Sequence, residues 1–239
     1  MSRELGTKET GIGLAPVGRE TVQDRVYAEL RRALIGGRFA PAQVLTIRTL
    51  ADALMTSTMP VREAIGRLIT EQALEVMPNR SIRVPPVSLA RLDDLLRARI
   101  LIEGEAIALA ATRMSPHLLT VIHEVMSEWE APRPADAAAA VDREVALNQD
   151  FHFAIYRACG SAILMPMIES LWLQSGPCTR AAVFAYTEAG ESDSARFHHA
   201  MLAALEAGDT RSARAALVAD ISRPFAFLRN KIQAEEVAA

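Results

Sequence analysis

The chain has 239 residues, half of them hydrophobic and only 5% aromatic, with a net charge of −3 and two cysteines. That length suits two modest domains, and no apolar run approaches the ~20 residues a membrane helix needs. The N-terminus has no apolar signal core, and Cys159 and Cys178 follow no metal or redox spacing. The expectation is a soluble, mainly helical, cytoplasmic protein with buried thiols.

Charge is unevenly spread. Residues 19–84 hold ten arginines, no lysine and seven acids, whereas residues from Pro85 onward hold fourteen basic and twenty acidic side chains. A basic front half points weakly to a polyanion partner, and scattered surface charge explains it equally well.

In chain order, residues 1–18 are glycine-rich and polar and are expected to form a flexible tail. Val22, Val26, Leu30 and Leu34 recur every fourth residue and predict a helix from Thr21 to Ile35, stopped by Gly36-Gly37. Pro41 to Leu45 reads as extended, and Ile47 to Leu54 as a short helix. Residues 55–68, MTSTMPVREAIGRL, start the next helix. Ser57 is a suitable N-cap, whose hydroxyl can accept from a free amide of the first turn. Pro60 then falls inside that turn, where a missing N–H costs little. Val61, Ile65 and Leu68 face the core and Arg62 falls on another face. Residues 74–77 and 82–84 read as two strands around the turn Pro78-Asn-Arg-Ser81. Three helices followed by a hairpin, over residues 19–86, is the order of a winged helix-turn-helix. Its second motif helix presents N-terminal residues to base edges in the major groove.

From residue 87 to 236 the sequence predicts an all-α antiparallel bundle of about six helices, at 88–113, 116–130, 138–159, 162–187, 193–207 and 210–234. Ala131 to Ala135, Gly160, Gly190 and Gly208 are the breaks, and Gly176-Pro177 is expected to kink or split the fourth helix. Asn148 and His152 are four apart and share a helical face. His198 lies eleven residues before Asp209, and Asp220 eleven after it. If Gly208-Asp209 turns a helical hairpin, His198 and Asp220 meet, and the two pairs can converge in the bundle core. A lone histidine on such a face is more often a satisfied core residue than a ligand; the second pair changes that balance.

Two stretches carry a family resemblance. Thr49-Leu-Ala-Asp-Ala-Leu followed by Ser57-Thr-Met-Pro-Val-Arg-Glu-Ala-Ile-Gly-Arg-Leu68 resembles the signature of the GntR family of bacterial transcription regulators. Pro78-Asn-Arg-Ser-Ile-Arg-Val84 resembles that family's wing. Arg99-x-x-x-Glu103, the Asp150-Phe-His-Phe-Ala-Ile-Tyr156 stretch, and His198 ahead of Ala207-Gly-Asp209 resemble the effector domain of its FadR-type branch.

The resemblance implies a homodimer on a palindromic double-stranded DNA operator, with Arg48, Ser57, Thr58, Met59, Arg62, Arg67 and Arg80 in the DNA-binding set. Arginine suits such contacts because its fork bonds two guanine acceptors or clamps a phosphate. Thr58 replaces the usual arginine, Met59 the usual threonine and Ser81 the usual wing glycine. These departures predict an unusual operator preference and a modest salt slope. The resemblance also implies a divalent metal (zinc, nickel or manganese) held by Asn148, His152, His198 and Asp220, with Asp220 standing where histidine is usual. Oxygen at that ligand shifts preference toward harder ions, or marks a lost site. Arg99 and Glu103 are implied in a pocket for a small organic acid, Arg99 gripping its carboxylate; the plain alternative is an ordinary i,i+4 ion pair. Asp150, Trp172 and Arg180 are candidates to support that pocket. The reading is a ligand-responsive regulator, a repressor in the commoner case, and not an enzyme. A DNA-binding regulator with a degenerate, metal-free pocket and, more remotely, a metal-dependent hydrolase are the rivals.

Overall fold

The computed structural model describes residues 21–189 and 194–238. The tail expected at 1–18 and the break expected at Gly190 lie outside them. Among the described residues are nine helices and three short strands.

Helix α1 (Val22–Ile35) begins at a capping box. The Thr21 hydroxyl accepts from the Asp24 amide at 3.2 Å, and the Asp24 carboxylate accepts from the Thr21 amide at 3.2 Å. Val26, Leu30 and Leu34 are buried as their spacing predicts, but Val22, at the open first turn, is half exposed. The extended piece expected from Pro41 shrinks to β1 (Val44–Leu45), because Ala42 turns the backbone with φ 63°. Helix α2 (Ile47–Ala53) is capped by Thr46, and Met55 (φ 49°) reverses the chain into α3 (Thr58–Thr70). Ser57 is the N-cap of α3, yet its hydroxyl makes no capping bond. Pro60 is the third helical residue and is buried, so it opens the helix without interrupting it. Val61, Ala64, Ile65 and Leu68 form the inward face.

Strands β2 (Glu75–Val76) and β3 (Ile82–Arg83) form the expected hairpin. A third strand was not foreseen: β1 pairs antiparallel with β3, giving the order β1-β3-β2. Two residues carry too little pattern to reveal pairing across nearly forty positions.

The bundle consists of α4 (Leu89–Arg113), α5 (Pro116–Glu130), α6 (Ala137–Ala158), α7 (Leu164–Ala189), α8 (Ser194–Glu206) and α9 (Thr210–Ala238). Helix α4 packs along α9, α8 pairs with α9, and α6 and α7 complete the core. Gly208 (φ 66°) makes the turn between α8 and α9. Of the kink or split expected at Gly176-Pro177, the split does not occur: α7 continues through Pro177 as one helix. It is packed against α1, α4, α6 and α9, and these contacts outweigh one lost hydrogen bond.

The contact of α7 with α1 joins the two halves of the molecule. A Cβ on Gly176 would stand 2.2 Å from the Leu34 carbonyl oxygen and 2.5 Å from that of Ile35. One on Gly37 would stand 2.4 Å from Arg180 Cβ and 2.7 Å from the Gly176 oxygen. Arg31 on α1 adds an ion pair with Glu169 on α7 at 2.9 Å. Gly176→Ala is therefore expected to destabilise the protein by about 1–3 kcal/mol through overpacking. Gly66→Ala, where nothing lies within 4 Å, is expected to stabilise it by about 0.5–1 kcal/mol. Urea unfolding of the two variants checks both signs, and an unaffected Gly176→Ala protein would refute the close junction.

Candidate functional site

Two regions hold the residues singled out by the sequence. On the winged-helix face, Ser57, Thr58, Met59 and Arg62 are exposed at the start of α3, Arg48 is exposed on α2, and Arg80 is exposed at the hairpin tip. Arg80 has φ 63°, in a turn closed by the Arg80 amide to the Met77 carbonyl at 2.8 Å and by Asn79 bonds to Ser81. The side chains of Arg48, Arg62 and Arg80 make no hydrogen bond or ion pair with any described residue, so the neighbouring-carboxylate reading of Arg62 does not describe this structure. Arg67 differs. It pairs with Asp24 at 3.2 Å and lies over the Tyr27 ring at 3.6 Å. That contact ties α3 to α1 and gives Arg67 a packing role besides the DNA contact expected of it.

The second region is a cavity inside the bundle. Its lining includes Asn148 and His152 from α6, Arg99 from α4, Trp129 from α5, and Asp220 and Arg223 from α9. The hairpin register worked out from Gly208 brings His198 to Asp220. His152 Nε2 lies 3.0 Å from Asp220 Oδ2, and His198 Nε2 lies 3.7 Å from Asp220 Oδ1. His198 is fully buried between Trp129 and Phe151, with ring centroids 4.5 Å and 4.3 Å away. Neither of its ring nitrogens has a hydrogen-bond partner. Asn148 lines the same cavity. His199, one step around the helix, points outward to Glu130.

The charges are arranged to match. Burial pulls the His198 pKa from its ordinary 6.5 to about 4, with nearby Asp220 opposing, so the ring is neutral at pH 7. Burial alone raises the Asp220 carboxyl. The hydrogen bond and charge of His152, then His198 and Arg99, outweigh that and hold it below its ordinary value. An ionised carboxylate beside a neutral, unsatisfied imidazole is a donor set for a divalent cation. One ligand atom from each of His152, His198 and Asp220 lies within 4.8 Å of the others. Donors about 2.1 Å from a shared tetrahedral ion stand about 3.4 Å apart, near the 3.0 Å from His152 to one Asp220 oxygen and the 3.7 Å from His198 to the other. An orphaned buried polar group costs about 1–3 kcal/mol, which an ion bound at His198 would relieve.

Beside this cluster, Arg99 and Glu103 form neither a surface pair nor a free anion clamp. Both are buried, and Arg99 donates Nε to Glu103 Oε1 at 2.6 Å and Nη2 to Oε2 at 3.1 Å. Its Nη1 reaches Ser175 Oγ at 3.4 Å. Burial works against the guanidinium charge, and Glu103 more than restores it. Two further donors converge on Glu103 Oε2: Tyr156 Oη at 2.5 Å and Trp172 Nε1 at 3.0 Å. Burial, then Glu103, pushes the Tyr156 phenol well above its ordinary value. Trp172 thus supports the site through Glu103. Arg180 instead pairs with Asp142 at 2.5 Å and, with Asp150, borders a separate cleft between α1 and the bundle. Sequence reading missed the role of Tyr156, although it lies four residues after His152 on the same face. The cavity is small, about 50 Å³. It has room for an ion and a few waters, not for the ~300 Å³ of a typical ligand site.

In metal-free protein the buried neutral His198 must take up a proton on unfolding once the pH falls below 6.5. Its stabilising contribution is therefore complete above pH 6.5 and is lost as the pH falls toward about 4, by about 3 kcal/mol in all. Chelator-treated wild type and His198→Phe, unfolded in urea at pH 7 and pH 5, check this. Wild type should lose more stability between the two pH values than the variant.

Two protein-family models match the chain. The gntR family of bacterial regulatory proteins covers residues 22–84, and the FCD domain covers residues 94–223. The HTH-type transcriptional regulator McbR of Escherichia coli K12 is 32% identical over 204 residues, 85% of this chain and 91% of its own length. The HTH-type transcriptional repressor GlaR of the same organism is 31% identical over 151 residues, 61% of this chain and 67% of its own. The solved structure of E. coli McbR superposes with a TM-score of 0.78 at 29% identity, covering 90% of this chain and 100% of that one.

Proposed function

The chain belongs to the GntR family of bacterial regulatory proteins and is a transcription regulator with an FCD effector domain, and we propose that it is a metal-assisted, ligand-responsive repressor acting in the cytoplasm. Its relatives are regulators, not enzymes. In this reading a homodimer places two α3 helices in successive major grooves of a palindromic operator, about 34 Å apart. Arg48, Arg62 and Arg80 supply the charged contacts. Thr58 and Met59 sit where α3 meets base edges and bring no charge, so the operator preference departs from the arginine-read one. The name of GlaR, a repressor, supports the sign of regulation. No described helix is long and apolar enough to cross a membrane.

In the bundle, His152, His198 and Asp220, with Asn148 beside them, hold a divalent transition metal. The metal supplies a Lewis-acidic anchor for an organic acid, and Arg99 at the cavity wall offers the remaining N–H groups of its fork to the carboxylate. The observation that carries this reading is His198, buried with both ring nitrogens unpartnered next to an ionised carboxylate. The small volume of the cavity supports the mechanism. An acid larger than a few waters enters only if the bundle opens. Ligand binding thus favours an opened form whose α7 differs from the form described, and α7 is the helix that meets α1. The effector class is a small carboxylate; a degenerate pocket is the reading to abandon or adopt on the metal result.

Elemental analysis of untagged protein purified without chelator is expected to give about one transition metal per chain, lost in His198→Ala and retained in His199→Ala. No metal after loading with zinc, nickel and manganese in turn would remove the metal from this reading. Arg62→Ala is expected to weaken binding to a selected operator by about 1–3 kcal/mol without changing the thermal unfolding profile. Wild-type affinity in that variant would show that α3 does not read the operator.

A further inference from the structure

The hydrogen bonds around Glu103 have a direction. The carboxylate already accepts from Arg99 Nε, Arg99 Nη2 and Trp172 Nε1, so it meets the Tyr156 phenol as an acceptor, and the single phenol proton lies toward Glu103 across 2.5 Å. The phenol oxygen is left to accept, and the atom facing it, at 3.1 Å, is His152 Nδ1. Nδ1 must therefore carry a proton. The other nitrogen, Nε2, points at Asp220 Oδ2 from 3.0 Å. With the Nδ1 proton held there, Nε2 is the nitrogen left to turn its lone pair toward an ion shared with Asp220.

We infer that Tyr156 and Glu103 are positioning residues for the metal centre, forming a polarised relay that keeps the His152 proton on Nδ1 and leaves the Nε2 lone pair for the ion. This rests on the metal reading given above and assigns a role to two residues outside the ligand set. A hydrogen-bond partner behind a metal-bound imidazole fixes the ring orientation and its tautomer. Here the partner is a phenol, itself polarised by a buried carboxylate, and the relay crosses from α6 to α4. The geometry is built rather than incidental: His152, Glu103 and Tyr156 are all essentially excluded from bulk solvent, and the phenol stands directly between the carboxylate and the imidazole.

The test compares Zn2+ affinity of wild type and Tyr156→Phe by chelator competition, and reads the His152 ring nitrogens of the zinc-loaded wild type by 15N NMR. Tyr156→Phe keeps the ring and removes one oxygen. The expected result is a 10- to 100-fold weaker zinc affinity in the variant and a protonated, unmetallated Nδ1 on His152 in wild type. Wild-type affinity in a folded Tyr156→Phe protein would overturn the relay while leaving the metal centre standing. A His152 bound through Nδ1 in wild type would overturn it as well, and that measurement does not depend on the variant folding. If wild type binds none of zinc, nickel and manganese, the metal reading falls and the relay falls with it.

Discussion

The buried Glu103 carboxylate is the interaction on which the bundle is organised. It accepts four hydrogen bonds from three side chains: Arg99 of its own helix, Tyr156 of α6 and Trp172 of α7. A charge with no solvent exposure is tolerable only when its partners are complete, because removing one partner of a buried pair costs about 3–5 kcal/mol. The three helices are therefore pinned around one carboxylate, with Arg99 fully charged beside it. His152 reaches this network through Tyr156, and Asp220 and His198 close the cavity on the other side. The cavity chemistry and the helix packing share the same atoms, and a change in one has to be accommodated by the other.

Helix α7 carries that constraint outward. Trp172 and Ser175 belong to the buried network, Gly176 touches the backbone of α1, and Thr179, Val183 and Tyr186 line the cavity. Helix α1 in turn packs on α3, tied there also by Arg67 over Tyr27. Close-packed junctions of this kind respond to displacement by re-docking rather than by gradual deformation. The absence of a Cβ at Gly37 and Gly176 is what allows the two backbones to come so near.

Some departures from local expectation trace to tertiary context. Ser57 occupies the N-cap position without making the capping bond, and α3 begins there all the same, its inward face of Val61, Ala64, Ile65 and Leu68 being buried against the rest of the winged helix. Pro177 lies inside a helix that passes straight through it, because four neighbouring helices hold α7. The strand β1 exists only because β3 lies beside it.

The sequence by itself determined the helix boundaries of the bundle to within a few residues, the winged-helix order, the family, and the convergence of His198 with Asp220. Each of these is local or nearly so: apolar periodicity, capping and glycine signals, a short motif, and equal spacing about a two-residue turn. Only the tertiary structure decided that Arg99 and Glu103 are a buried pair, that Arg67 belongs to the α1–α3 contact, that Tyr156 links His152 to Glu103, and that Gly37 faces Gly176. The spacing of Arg99 and Glu103 is local but their burial is not, and the other facts join residues tens to more than a hundred positions apart. Which side chain fills a buried site is set by the packing of whole helices, and no spacing along one chain encodes it.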